Sequence, residues 1–377
     1  MKNDKTHIAW VDLLRVLACF LVVLAHCCDP FVARFDTNRF EFLSGAFWGS
    51  LVRPCVPLFV MMTGVLLLPI QTDMSTFYNK RIKRIVIPLI FWSVLSPILY
   101  YLYLNSGVVT LSPNIVAEDH TLSATITRIY SFIFNFSYAT IPLWYLYMLV
   151  GLYLFMPIIS GWLSQASQKD VKRFLMIWGV SMCLPYIQMG APLLGYVGNY
   201  GNTGILGVCD WNPYGTFYYF SGFMGYIVLA YYLLKYPLQW SWKKTLSVAA
   251  PLFAIGYAIT LGGFIVTQKF FPGSYAALEI VWYFSGINVF MMTYAAFIVL
   301  SKVRLNPSPF MNRLASLTFG IYLCHFFIVQ LGYDLMYKHL PLPAYLLIPV
   351  IALFAFTVSA GIVWAMSQNK FLKKFVF

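Results

Sequence analysis

Charge is scarce in this chain. Only 10% of its 377 residues are Asp, Glu, Lys or Arg, and 12 of them are acidic, whereas a soluble globular domain carries about a quarter. No polar segment is long enough to enclose a core of its own, so one integral-membrane domain over 1–377 is expected, without an extramembrane module. Paired cysteine spacings are also missing. The seven cysteines, at 19, 27, 28, 55, 183, 209 and 324, fall mostly inside apolar runs and read as small buried hydrophobes, not as a disulfide framework or metal cage. There is no His-Glu-x-x-His, P-loop, Gly-x-Ser-x-Gly or dinucleotide fingerprint, which leaves metal and NAD chemistry without support. No small-residue cleavage site follows the first apolar run, so it reads as a retained span rather than a signal peptide.

What is present is apolar surface in long stretches. Hydrophobic residues make up 60% and aromatics 19%, and the mean hydropathy is +0.74. Stretches of about twenty residues recur at 8–28, 46–69, 85–104, 141–160, 172–192, 214–234, 245–268, 278–300, 315–334 and 344–366, each sufficient for ~30 Å of hydrocarbon. The expected fold class is all-α, a polytopic membrane protein with about ten transmembrane helices. A net charge of +13 does not point to nucleic acid, because the basic residues are spread over short loops. With the N-terminus inside, eighteen Lys and Arg fall on inner segments and five on outer ones, which places both termini in the cytoplasm.

Two outer segments stand out. Residues 105–140 hold a weakly amphipathic piece, Ile126, Ile129, Tyr130, Ile133 and Phe134, suited to lying along the membrane surface or partly re-entering. Residues 190–212 interleave glycines with Tyr196, Asn199, Tyr200, Asp210 and Trp211, a composition that fits a sugar-holding lid or a plain connector. The tetrapeptide Tyr-Phe-Ser-Gly occurs at 219–222 and 283–286, too short to establish a repeat.

The first run carries two ionisable groups, Arg15 and His26, eleven residues apart. On an α-helix this spacing puts them on one stripe ~16 Å apart. Such groups in a span usually face a bundle interior or a wet cavity. Asp12 is the natural partner of Arg15. Arg53, in Arg53-Pro-Cys-Val-Pro57-Leu-Phe, is expected about two turns into the second span at the depth of His26. Pro54 and Pro57 remove backbone donors there. Lys80, Arg81, Lys83 and Arg84 open the third span; the guanidiniums of Arg81 and Arg84, one turn apart, either grip a polyphosphate or serve as ordinary inner-face anchors. Tyr322 and His325 either line a cavity from mid-helix or pack against neighbours. Trp144 and Tyr145, in Leu-Trp-Tyr-Leu, and Glu279 read as substrate contacts or as interfacial residues.

Together these features resemble the integral-membrane acyltransferase family 3. The resemblance rests on Arg15 through His26, on Arg53-x-x-Val-Pro-Leu-Phe with Thr63-Gly64, on Arg81-x-x-Arg84, on Leu-Trp-Tyr-Leu, and on Ser316 through His325. Tyr-Phe-Ser-Gly-Phe-Met-Gly-Tyr at 219–226 is similar to the surface-polysaccharide O-acyltransferase branch, which includes the enterobacterial common antigen acetyltransferase. Thr63 stands where many members have Ser. The resemblance implies transfer of an acyl group, usually acetyl from acetyl-CoA, to a hydroxyl of an envelope glycan or glycolipid, in a multi-pass protein of the bacterial cytoplasmic membrane. Donor phosphates would rest on Arg81 and Arg84, helped by Lys80 and Lys83, with the pantetheine arm along the Arg15–His26 stripe. His26 would serve as general base or as acyl relay, and Arg53 or Arg15 would face the oxyanion. Trp144, Tyr145, Trp211, Glu279, Tyr322 and His325 would meet the acceptor. The alternatives are a flippase for a lipid-linked glycan and a membrane module that recognises a small ligand. The acyl group, the acceptor and the oligomeric state stay open.

Overall fold

The structure, a computed structural model, describes residues 9–134, 136–195 and 215–377. Every regular element among the described residues is helical, as the continuous apolar runs require: within hydrocarbon, a helix satisfies its backbone internally. The helices form two compact units, one of Met1–Val52, Thr72–Pro157 and Arg304–Phe377, the other of Arg53–Gln71 and Ile158–Val303.

The first unit contains α1 (Ala9–Val32), α2 (Arg39–Leu51), α4 (Met74–Leu104), α5 (Leu122–Tyr130), the start of α6 (Trp144–Gln165), α13 (Pro309–Tyr337) and α14 (Ala344–Gln368). The second contains α3 (Cys55–Leu67), the rest of α6, α7 (Gln168–Ser181), α8 (Leu184–Gly190), α9 (Met224–Lys235), α10 (Trp242–Phe270), α11 (Tyr275–Trp282) and α12 (Ile287–Leu300). Among the described residues, eight helical stretches are long and apolar enough to cross a membrane. The expected runs at 172–192 and 214–234 are instead covered by the shorter α7, α8 and α9. Pro185 accounts for the first interruption. It lacks an N–H and its ring would meet the carbonyl of Ser181, where α7 ends. Pro54 and Pro57 act likewise on the second run: α2 stops at Leu51 and α3 starts at Cys55. Arg53 therefore sits at a break between helices and not two turns inside one.

In the first unit α1 packs along α13, α14 and α2. Cys19 Sγ lies 3.4 Å from the Thr318 carbonyl and Arg34 Nη2 donates to the Tyr333 hydroxyl at 3.1 Å, both pairs 299 residues apart. A constant difference, rather than a constant sum, means that α1 and α13 run parallel. α4 joins them in the same sense: Tyr100 packs on Phe326 and the Tyr103 hydroxyl donates to Asp334 at 2.9 Å. Asp334 also accepts from the Leu111 N–H at 2.7 Å, the Thr110 hydroxyl at 3.2 Å and the Gln330 amide at 2.6 Å. These donors bind the 105–115 segment to α13 and supply the partners that a buried carboxylate needs.

α4 begins at Met74, well before the expected boundary at 85, because Asp73 caps it by accepting from the Thr76 N–H at 2.9 Å. The basic run thus lies inside the helix. The C-terminal segment folds back on α4: Phe375 stacks on Phe91 at 4.1 Å and its carbonyl accepts from Trp92 Nε1 at 3.0 Å. On and after α5, Ile126, Tyr130, Ile133 and Phe134 are exposed, as a segment lying along an apolar surface would be. Cys19, Cys27, Cys28, Cys55 and Cys324 are buried free thiols.

In the second unit, α3 and α9 meet at Gly64, where a Cβ would stand 2.7 Å from the Ile227 carbonyl oxygen. The two Tyr-Phe-Ser-Gly segments both precede a helix but differ in backbone. Gly222 has φ +79° and its carbonyl accepts from Trp178 Nε1 at 2.9 Å, whereas Gly286 has φ −74° and caps α12.

His120, between α4 and α5, accepts at Nδ1 from Arg128 at 3.1 Å and stacks on Tyr100 at 5.8 Å. Burial first, and then the Arg128 charge, hold its imidazole below the ordinary value.

Two tests follow from this packing. Gly64→Ala should destabilise the protein by about 1–3 kcal/mol because a backbone atom must move. Gly151→Ala, with open space around it, should be neutral or stabilising by up to ~1 kcal/mol; melting temperatures in detergent compare the two. Since folded His120 binds a proton less readily than the unfolded chain, it costs stability as pH falls below ~6.5. His120→Gln should therefore reduce the drop in melting temperature between pH 7.5 and 5.5.

Candidate active site on α1 and α13

His26 lies about 9 Å before the end of α1, since the helix continues to Val32. Its Nδ1 is 2.9 Å from Asp29 Oδ2, one turn on. A carboxylate accepts, so Nδ1 carries the proton and the Nε2 lone pair is left for chemistry. The side chains of His26 and Asp29 are 19% and 39% exposed, so the base is held yet reachable. Pro30 has no N–H, and the helical bond that would end on the His26 carbonyl is absent.

α13 brings a second imidazole to the same place. The rings of His26 and His325 are 5.3 Å apart, and Phe326 stands edge-on to His26 at 5.0 Å. His325 is fully buried, and its Nδ1 donates to the Tyr322 carbonyl at 2.5 Å. That bond leaves Nε2 as a buried acceptor without a partner in the structure. Buried polar atoms are rarely left so. Tyr322 itself is committed elsewhere: its hydroxyl donates to the Pro142 carbonyl and its ring meets Tyr145 at 5.6 Å. Tyr138, from the 3₁₀ turn Tyr138–Leu143, packs on Phe326 at 5.2 Å and lies within electrostatic reach of Asp29.

At the other end of the stripe, Asp12 is buried and Arg15 half-buried. The charges of Asp12 and of Arg84 on α4 both reach Arg15. Two guanidiniums that approach each other repel, and an anion between them removes the penalty. Arg81 is half-buried, while Lys80, Lys83 and Arg84 are exposed.

The first unit therefore brings together His26, His325, Tyr322 and Tyr145 at one level, and Asp12, Arg15 and Arg84 at another. Trp144 is Tyr145's neighbour in sequence, with their rings 6.3 Å apart. Arg53 belongs to the second unit, where its guanidinium lies over the Trp282 ring at 4.1 Å and near Phe284 at 5.4 Å. Glu279 falls on α11, but its side chain lies outside the described residues, as do Trp211 and most of the glycine-rich 190–212 segment. The hydroxyls of Thr63 and Ser316 bond to carbonyls of their own helices, Phe59 at 3.2 Å and Arg313 at 2.6 Å.

Residues 8–367 match the family model described as an acyltransferase domain. The chain belongs to this acyltransferase family. No curated protein and no solved structure matches it significantly. The assignment covers nearly all of the chain, so both units of the acyltransferase fall within it.

Sequence reasoning missed Asp29, although it stands three residues after His26, the same step that suggested Asp12 for Arg15. It also missed Tyr138 and Phe326, which look like ordinary belt and core aromatics until the helices are packed. Asp29→Asn keeps the shape but lets the amide offer either an acceptor or a donor to Nδ1. Acyl transfer should fall by about 10²–10⁴, since a catalytic histidine loses the carboxylate that fixes its tautomer, with the melting temperature unchanged.

Proposed function

We propose that the protein is a membrane O-acyltransferase that moves an acyl group, acetyl in the simplest case, from acyl-CoA on the cytoplasmic side of a bacterial inner membrane to a hydroxyl of an envelope glycan or glycolipid. The observation that carries this reading is the His26–Asp29 pair, an oriented and reachable base in an apolar helix. Membership of an acyltransferase family favours transfer chemistry over a translocation path.

In this reading the acceptor hydroxyl gives its proton to His26 Nε2 while its oxygen attacks the thioester carbonyl carbon. The C–S bond of the resulting adduct breaks, the ester remains on the acceptor, and the departing thiolate takes the proton back from Nε2. Asp29 holds the imidazolium that forms in between. His325 Nε2 offers a second acceptor to a donor group entering beside His26. Arg15 is ~16 Å down the helix, too far to meet charge at the reacting carbonyl, and is assigned with Arg84 and Arg81 to the anionic end of the donor. Lys80 and Lys83 add to the field that draws that donor in. The pantetheine arm spans the stripe between the two levels.

His26→Ala should lower transfer by about 10²–10⁴ while acyl-CoA still raises the melting temperature. Arg81→Ala should raise the acyl-CoA concentration required and leave turnover at saturation nearly intact. Wild-type transfer by a folded His26→Ala protein would end the assignment. A stoichiometric acyl adduct on His26 in rapid-quench mass spectrometry would replace direct transfer by a relay.

A further inference from the structure

The second unit holds a cavity of about 170 Å³ among the ends of α9, α10 and α12, lined by Leu233, Pro237, Thr245, Ile298, Ser301 and Lys302. Its composition is uneven. Aliphatic residues share the lining with two hydroxyls and an ammonium. The Lys302 Nζ donates to the Trp240 carbonyl and lies 5.8 Å from the Trp242 ring. An ammonium has three N–H donors, so this bond leaves others to serve. Lys244 packs over Trp240 at 5.3 Å and Lys235 over Tyr231 at 5.3 Å, and both are exposed. Lys243 adds to the same end of α10. Between 235 and 304 the one acidic residue is Glu279, on α11, so no carboxylate of α9, α10 or α12 offsets these charges. Among the described residues Lys302 makes no ion pair, and a half-buried ammonium without one is costly.

We propose that this cavity is a binding site for the phosphate headgroup of an anionic phospholipid. Phosphate oxygens accept from Lys302 Nζ, the Ser301 and Thr245 hydroxyls line the site while donating to the Ile298 and Ser241 carbonyls at 3.4 and 3.0 Å, and Lys235 and Lys244 supply the surrounding positive field. The aliphatic share of the lining argues for a lipid over a free anion. Leu234, Trp242 and Leu246 beside the cavity are 41%, 45% and 50% exposed, an apolar path for an acyl chain that a soluble phosphate would leave uncovered. A headgroup held here would fasten three helix ends together without entering the α1–α13 site.

Purified wild-type, Lys302→Ala and Ser301→Glu proteins would be titrated with phosphatidylglycerol and with phosphatidylcholine in detergent, and retention read by native mass spectrometry. Inorganic phosphate and acetyl-CoA serve as competitors. Wild-type should retain phosphatidylglycerol in preference to phosphatidylcholine. Lys302→Ala should weaken retention about fivefold, the loss of one cation–anion contact at a membrane surface. Ser301→Glu, which places a carboxylate in the cavity and retains Lys302, should weaken it at least as much. Equal retention of both lipids, or unchanged phosphatidylglycerol retention in Ser301→Glu, would overturn the proposal. Full displacement by millimolar phosphate would show a free-anion site, and displacement by acetyl-CoA a donor site; either outcome also overturns it.

Discussion

An imidazole inside an apolar helix becomes a usable base only when its proton is fixed on one nitrogen and the other is left accessible, and the His26–Asp29 bond supplies both conditions. What surrounds this bond makes sense in relation to it. Phe326 stands edge-on to the ring with Tyr138 behind it, α13 brings His325 within 5.3 Å at a tilt of 41°, and the missing N–H of Pro30 loosens the backbone hydrogen bonding at the His26 carbonyl. The carboxylate is more exposed than the imidazole it orients, which keeps its charge solvated at small cost.

Much of this was legible in the residues. The Arg15–His26 stripe, the all-helical membrane fold and the pairing of Tyr322 with His325 follow from helical periodicity and from the cost of ionisable groups in hydrocarbon, whereas the approach of Tyr145 to Tyr322 shows only in the packing. Helix ends were less legible, because hydropathy marks where a chain is apolar and says little about where backbone bonds stop. α4 starts at Met74 through the cap at Asp73, and Arg53 falls at a break through Pro54 and Pro57. Both signals are local and polar or steric in nature, and a window of apolarity averages them away. Asp29 was hidden for a related reason: it stands at the polar end of an apolar run, where a carboxylate looks like an ordinary boundary.

The two compact units divide the chemistry unevenly. The oriented base, its partner imidazole and the Arg15–Arg84 approach all lie in the first. The second holds the tight α3–α9 contact at Gly64 and the cavity around Lys302. A chain of this kind uses its few charges at chosen points. Asp29 orients the His26 imidazole, and Asp334 holds a loop with four donors.

The parallel pairing of α1 and α13, constant at 299 residues from Cys19–Thr318 to Arg34–Tyr333, has a consequence for how such a protein can change its length. One residue inserted between positions 19 and 26 turns everything beyond it by 100° and carries the imidazole off the shared face. A matching insertion at the same level of α13 turns the second ring away by the same 100° and does not restore the meeting. Within these two spans the shared face survives only changes of about seven residues, close to two whole turns, made in both helices at the same level.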